Sequence, residues 1–408
     1  MENLDARISV IGAGQAGASL VAKLRDLGHR GPITLIGDEP SLPYQRPPLS
    51  KAYLKGEMQL ERLYLRPATF YADQNIEVLT GVRVVSIDRA AKEVVLEDGR
   101  RIGHDLLALT TGTTPRRLPG DIGGDLDDVH VMRSLAHADA LAEGLARGHG
   151  AALIVGGGYI GLEAAAVLRE KALKVTVLEA APRILARVAS AETADFFRDL
   201  HRNNGVDIRE GVMLSRLVGE NGRVTGGELS DGTVIPADVA LVGIGVVPND
   251  GLARDAGLEL DNGIVVDGAG RTSDPSIFAA GDCTNFPYRG VRIRLESVPN
   301  AIDQAEAVAA AMLGGDVDYV AKPWFWSDQY NIKLQIAGLN AGYDRTVVRP
   351  GVREGTQSVW YYAGDELLAV DAMNDPRSYM MAKRWIEAGV SPDAGQVADP
   401  GVELKGLA

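Results

Sequence analysis

Cysteine is nearly absent from this chain: among 408 residues there is one, Cys283. A lone thiol rules out an internal disulfide, a CxxC redox pair and a multi-cysteine metal site. No metal site and a reducing compartment are therefore expected. Aromatic residues are few, at 5%. Long hydrophobic runs are missing too, none approaching the roughly 18 uncharged apolar residues that span a bilayer. The opening MENLDARISVIGAG has no basic segment leading into an apolar one and a cleavage site. That pattern predicts a cytoplasmic protein with no membrane partner. Basic charge is in deficit, with 42 Lys and Arg against 55 Asp and Glu for a net charge of −13. Such a balance argues against a nucleic-acid binder, whose affinity comes from neutralising phosphates. Any basic docking patch has to be local.

Glycine, by contrast, is plentiful at 48 residues, and its clustering organises the chain. The length corresponds to two or three domains at roughly 150 residues each, and the 46% of apolar residues supply ample core. Residues 7–12 (RISVIG) run into GAGQAG at Gly12–Gly17, then a helical pattern and a second apolar strand, ITLIG, ending beside Asp38 and Glu39. Residues 151–155 (AALIV) likewise run into GGGYIG at Gly156–Gly161, then LEAAAVLREKAL and the strand KVTVLE ending at Glu179. A GxGxxG hexapeptide alone is weak evidence. Here each copy follows a β-branched strand, opens a helix and is closed by a carboxylate at the end of the next strand, the context of a dinucleotide-binding unit. The first glycine permits the tight turn, the second lets a pyrophosphate approach the backbone, and the third lets helix and strand pack closely.

Glu179 also bears on cofactor choice. A carboxylate facing the ribose 2′ position repels a 2′-phosphate, and Ala180, Ala181 and Pro182 follow it before the first basic residue, Arg183. NADH is expected over NADPH, to an extent that depends on where Arg183 reaches.

Between the two units, DLLALTTGTTPRRLPG (105–120) is an apolar strand breaking into Thr, Gly and Pro, and DVALVGIGVVPND (238–250) repeats that character after the second unit. The chain is expected to leave one domain and return to it. From near Lys322, KPWFWSDQYNIKLQIAG brings aromatics and the alternation of an antiparallel sheet. The fold class expected is α/β, with two Rossmann-like dinucleotide-binding domains plus a C-terminal α+β domain built on an antiparallel sheet. The expected boundaries are 1–113 with 244–322 for the first domain, 114–243 for the second, and 323–408 for the third.

GAGQAG, YQRPPLSK (44–51), TTGTTPR, GGGYIGLE, GIGVVPN, AAGDC, LESVPNA and PWFWSDQY occur in an order that resembles the FAD-containing, NADH-dependent ferredoxin reductases of cytochrome P450 and aromatic-ring dioxygenase systems. These reductases share the glutathione-reductase-like arrangement of two nucleotide domains. The resemblance covers essentially the whole chain. It implies that the first fingerprint binds FAD and the second NADH. Carried across, FAD contacts come from Gly12, Gly14, Ala16, Gly17, Asp38, Arg46, Lys51, Val82, Arg133, Asp282 and Val298. NADH contacts come from Gly156, Gly158, Tyr159, Ile160, Gly161, Glu163, Glu179 and Gly245.

The resemblance further implies that the Lys51 ammonium lies beside the isoalloxazine, where positive charge favours electron-rich flavin. Glu163, two residues past the last glycine, would pair with Lys51 and bind the nicotinamide carboxamide. A helix start at Val298–Ala301 would point its positive end at the flavin pyrimidine. Trp324 and Trp326 read equally well as core or as a lining of the flavin edge. The implied activity is hydride transfer from NADH to FAD and single-electron delivery to a [2Fe-2S] ferredoxin, with no side chain acting as a covalent nucleophile. Ferredoxins are usually acidic, so docking calls for a local basic surface, for which Arg289, Arg292 and Arg294 are the best candidates. A rubredoxin reductase would share every flavin and NADH motif. An apoptosis-inducing-factor type of flavoprotein, in which binding matters more than turnover, is the reading from a different class. Disulfide reductases of related design need a CxxxxC or CxxC pair, NADH oxidases, peroxidases and coenzyme A disulfide reductases use a single cysteine near where Arg46, Pro47 and Pro48 stand, and Cys283 is expected to be a small buried residue.

Overall fold

The computed structural model describes residues 2–148 and 150–407. The chain forms two compact units: Met1–Gln45, Leu60–Thr114 and Val247–Pro323 make one, and Arg46–Gln59, Pro115–Val246 and Trp324–Ala408 the other.

The first unit is built on five parallel strands in the order Ile277–Ala279, Leu106–Leu109, Ile8–Ile11, Ile33–Ile36, Ile76–Leu79. The central strands read ISVI, ITLI and LLAL because both faces of a parallel sheet are covered, leaving no solvent face for polar residues to alternate onto. Two helices, Gln15–Asp26 and Val298–Met312, pack on each other beside this sheet. Ala16, Leu20 and Leu24 meet Ala301, Ala305 and Val308 in one core with Val10 and Leu35. Truncating Leu20 or Leu35 to Ala is expected to cost about 2–5 kcal/mol.

The second unit repeats the device. Its parallel sheet runs Asp207–Glu210, Lys174–Glu179, Ala151–Val155, Val239–Val242, Val129–His130. The helix Tyr159–Glu170 that follows its central strand buries every residue from Gly161 to Leu168. Such all-round burial follows because the Trp324–Gln329 strand covers a face of the helix that would otherwise meet water.

That strand belongs to an antiparallel sheet ordered Trp324–Gln329, Ile332–Gly338, Glu366–Met373, Gln357–Ala363, Arg345–Pro350. The Pro376–Ala388 helix packs over it through Trp385 against Trp360. Asp375 accepts from the Ser378 N–H at the helix start, Pro376 occupies a position needing no donor, and Gly389 closes the end in the left-handed region.

Arg46–Gln59 belongs to the second unit rather than to the unit that surrounds it in sequence. The reason is polar contact: Arg46 donates to the Arg133 carbonyl, Tyr53 to Asp139, and Lys55 pairs with Glu170. Among the described residues no helix is long and apolar enough to cross a membrane.

Candidate functional site

The first glycine turn sits at the end of the Ile8–Ile11 strand. Gly12 has φ +112°, and a Cβ there would lie 2.2 Å from the Thr110 carbonyl oxygen. Thr110 fastens the same turn, its one O–H directed at the Gly12 carbonyl at 2.8 Å with the Ile11 carbonyl at 3.1 Å beside it. At Gly17 a Cβ would lie 2.1 Å from the Gly12 oxygen, so helix and turn approach only because neither residue has a side chain. Gly14 is different. A Cβ there would meet nothing within 4 Å. Gly14 is also the N-cap of the Gln15–Asp26 helix and offers no side-chain cap to its N–H groups.

The second turn repeats all three conditions. A Cβ at Gly156 (φ +109°) would lie 2.4 Å from the Gly243 oxygen, one at Gly161 would lie 2.1 Å from the Gly156 oxygen, and one at Gly158 would meet nothing within 4 Å. Gly158 caps the Tyr159–Glu170 helix without a side-chain bond. In both turns the outer glycines are explained by the protein's own packing and the middle one is not. An uncapped helix N-terminus beside clear space is what an anionic pyrophosphate fits. Both turns thus fit the pyrophosphate of a dinucleotide such as FAD or a nicotinamide dinucleotide.

The two cradles differ at the acidic position. In the second, Glu179 ends its strand and turns inward: Oε2 accepts from the Gly157 N–H at 2.8 Å and Oε1 from the Ala181 N–H at 2.7 Å. The corresponding residue after Ile33–Ile36 is Gly37, since Gly12 N–H bonds the Ile36 carbonyl just as Gly156 N–H bonds that of Leu178. Asp38 therefore stands one residue further along, exposed and paired with Arg83 at 3.1 Å. Arg183 turns onto the backbone. Its guanidinium donates to the carbonyls of Ala189 at 2.7 Å, Ser190 at 3.1 Å and Ile184 at 3.4 Å.

Lys51 and Glu163 meet inside the second unit. Lys51 Nζ lies 2.6 Å from Glu163 Oε2, with side chains 18% and 7% exposed. Ser50 Oγ donates to the same oxygen at 2.9 Å, and Ser327 Oγ donates to Oε1 at 2.7 Å. A carboxylate so buried needs hydrogen-bond and charge partners of this kind. Tyr159, one turn earlier on the helix, stacks on Phe325 with centroids 5.1 Å apart, and its buried hydroxyl has no hydrogen-bond partner. Burial, with the nearby Asp371 and Tyr361, pushes that phenol well above its ordinary range. Ile160 is exposed, and Gly245 takes a positive φ of +97°.

The remaining expected contacts lie at element ends. Val82 donates its N–H to the Gly37 carbonyl beside the first cradle. Asp282 follows Gly281, whose N–H is held by Gln304 Oε1. Val298 opens its helix behind Ser297, which accepts from the Asn300 N–H. Arg133 gives its carbonyl to Arg46. Cys283 is fully buried, its thiol against the carbonyls of Leu109 and Ala280, and burial raises its pKa. Arg292 spends its guanidinium on Asn285 and the Val266 carbonyl, and Arg294 pairs with Glu296. Trp324 and Trp326 are partly buried with rings 5.5 Å apart, Trp324 packing on the C-terminal core. Ser50, Ser327 and Thr110 were not singled out from sequence. Ser50 and Ser327 lie within PPLSK and PWFWSDQY, but nothing local marks them as partners of Glu163.

Residues 6–305 match the family model described as pyridine nucleotide-disulphide oxidoreductase, and residues 324–408 match that described as reductase C-terminal. The chain belongs to the pyridine nucleotide-disulphide oxidoreductase family. It is 44% identical to a ferredoxin–NAD(P)(+) reductase of Sphingomonas sp, covering 98% of this chain and 96% of that one. Identity to the putidaredoxin reductase of Pseudomonas putida is 41%, covering 99% and 97%. Putidaredoxin reductase solved in its covalent complex with putidaredoxin superposes with a TM-score of 0.94 at 41% identity, over 98% of each chain. As a member of this family the protein is an FAD- and pyridine-nucleotide-dependent oxidoreductase. With Cys283 its only cysteine, it cannot run the intramolecular dithiol chemistry in the family's name.

Proposed function

We propose that this protein is an NADH-dependent ferredoxin reductase serving a cytochrome P450 or an aromatic-ring dioxygenase. When bound, FAD supplies acceptance of a hydride and release of its electrons one at a time. Residues 1–113 and 244–322 hold FAD and residues 114–243 hold NADH, each pyrophosphate resting on the N–H groups behind Gly14 or Gly158. Asp38, Arg46, Val82, Arg133, Asp282 and Val298 complete the FAD contacts. Tyr159, Ile160, Glu179 and Gly245 complete those to NADH.

Glu179 sets the donor. Its carboxylate is held by two backbone N–H groups, so it cannot swing aside to admit a 2′-phosphate, and Arg183 is already committed to three carbonyls. Lys51 and Glu163 orient the nicotinamide and hold a fixed charge pair at the transfer site. Such a preorganised pair costs no reorganisation when hydride moves. The acceptor docks near Arg289, Arg292 and Arg294, where Arg292 and Arg294 are pinned by local partners and Arg289 is exposed over the Tyr288 ring.

The observation that carries this reading is the pair of middle glycines with clear space above them. The test is anaerobic titration of the holoprotein with NADH and NADPH, followed by mixing with purified [2Fe-2S] ferredoxins and rubredoxins. Bleaching of the flavin by NADH and fast reduction of a [2Fe-2S] protein are expected. Transfer to rubredoxin alone would reassign the acceptor, and failure with every small iron-sulfur protein would overturn the reading.

A further inference from the structure

One strand of the C-terminal sheet reads its alternate residues onto the nucleotide unit. Along Trp324–Gln329, Phe325, Ser327 and Gln329 face the same way by the two-residue period of a strand. Phe325 stacks on Tyr159, Ser327 bonds Glu163, and Gln329 bonds His201 on the neighbouring helix Ala191–Asn203. Tyr159 and Glu163 are four residues apart and so share one helix face. The strand is a ruler laid along that face.

The direction of every hydrogen bond in this row follows from Glu163. A carboxylate only accepts, so Ser327 must spend its single O–H on Oε1, at 2.7 Å. Ser327 Oγ is then left as an acceptor, so the Gln329 side chain must turn its NH2 toward it, at 3.2 Å. The Gln329 oxygen consequently faces His201 Nε2 at 2.8 Å, which fixes that nitrogen as N–H, and Nδ1 as the acceptor toward the Tyr330 hydroxyl at 3.5 Å. Ser327, Gln329 and His201 are all fully buried, and burial lowers the His201 pKa to about 4, keeping the ring neutral with one proton to place. With all three side chains out of bulk solvent, a reversed member would leave two acceptors or two donors face to face.

Glu163 Oε2 takes both Lys51 and Ser50, whereas Oε1 has Ser327. We propose that Ser327 is a positioning residue for the Lys51–Glu163 pair: through its bond to Oε1, directed by Gln329 and His201, it sets the rotation of the carboxylate and hence the place of the ammonium. This rests on the role given above to Lys51 and Glu163.

Stopped-flow reduction of the holoprotein by NADH tests it with Ser327→Ala, Ser327→Thr, Glu163→Gln and the Ser327→Ala/Glu163→Gln double variant. Ser327→Ala is expected to lower the limiting rate of flavin reduction about tenfold, with NADH affinity nearly unchanged. Ser327→Thr, which keeps the hydroxyl, is expected to recover most of the rate. The double variant should be no slower than Glu163→Gln alone. Nitrogen-15 NMR of the histidines supplies a readout apart from turnover: His201 should be the Nε2–H tautomer in the wild type and mixed in Ser327→Ala. Gln329→Met, which retains the shape of the side chain, should mix the tautomer as well. A Ser327→Ala enzyme as fast as wild type, multiplying rates in the double variant, or a wild-type His201 protonated at Nδ1 would each overturn the proposal. An unimpaired Glu163→Gln would overturn the reading of Glu163 itself, and the proposal with it. An impaired Glu163→Gln beside a normal Ser327→Ala would remove the proposal alone.

Discussion

A Cβ on Gly37 would lie 2.6 Å from the Cβ of Ala13. In the second cradle the corresponding pair is Gly157 and Glu179, where the methyl is missing and a carboxylate reaches back into the space. A Cβ on Gly157 would also lie 2.6 Å from Ile184 Cγ2, so the second loop has no room for a side chain, whereas the first loop carries the Ala13 methyl against a bare strand end. The first cradle has its acid displaced to Asp38 as a result, whereas the second has it locked inward.

The middle glycines separate binding from folding. Gly14→Val and Gly158→Val should leave the melting temperature of the FAD-free protein unchanged, since a Cβ at either position would meet nothing within 4 Å. Gly14→Val should lose FAD on gel filtration, and Gly158→Val should keep FAD while its affinity for NADH falls on the order of a hundredfold, a few kcal/mol. Gly17→Val, by contrast, should fail to fold, because a Cβ there would lie 2.1 Å from a carbonyl oxygen.

Donor preference should resist a single substitution. Glu179→Gln removes the repulsion of a 2′-phosphate but supplies no cation, because Arg183 is held by the carbonyls of Ala189 and Ser190. Its kcat/KM for NADPH should rise about tenfold and stay well below that for NADH. Parity between the two donors would show that Arg183 leaves its carbonyls.

For the acceptor, Arg289→Glu is the informative charge reversal. The Arg289 side chain is exposed beside the Tyr288 ring, so the reversed charge would face solvent. The variant should slow reduction of a [2Fe-2S] ferredoxin several-fold at low salt, an effect that fades as ionic strength rises. NADH-to-ferricyanide turnover should not change. Equal loss of both activities would remove this surface from consideration.

Two buried groups oppose each other in their response to pH. Burial raises Asp371 to about 6, so the fold favours its protonated form and stability falls as pH rises from its unfolded value of 3.8 to about 6. Burial lowers His201 to about 4, so the fold favours the neutral ring and stability falls as pH drops from 6.5 to about 4. Each effect is about 3 kcal/mol, and across their shared window the two slopes cancel. Asp371→Asn should unmask the histidine: denaturant melts of that variant should lose stability steadily below pH 6.5, where the wild type changes little. An identical pH profile for both proteins would show that Asp371 titrates normally.

The nucleotide cradles were legible from sequence because their glycines record backbone contacts that no other residue survives, and those contacts are local. Gly12 and Gly17 meet within one turn and helix start. The parallel strands were legible for a related reason, since continuous runs such as ALIV occur where both faces are covered. What escaped was set by partners far apart in the chain. Ser327 reaches Glu163 across 164 positions, and only the facing of a strand on a helix selects it. The Arg46–Gln59 segment joins the second unit through side-chain bonds to Arg133, Asp139, Glu163 and Glu170, none of which a local pattern announces. Arg183 and Arg292 count as basic in any sequence, yet both are consumed by neighbouring carbonyls.

Cys283 is sealed between two carbonyl oxygens with its thiolate disfavoured. To a maleimide at neutral pH the protein therefore behaves as though it carried no sulfhydryl at all, without any residue having to be replaced. A fluorophore or spin label attached through one engineered surface cysteine would report from that position alone, and the native background would stay silent.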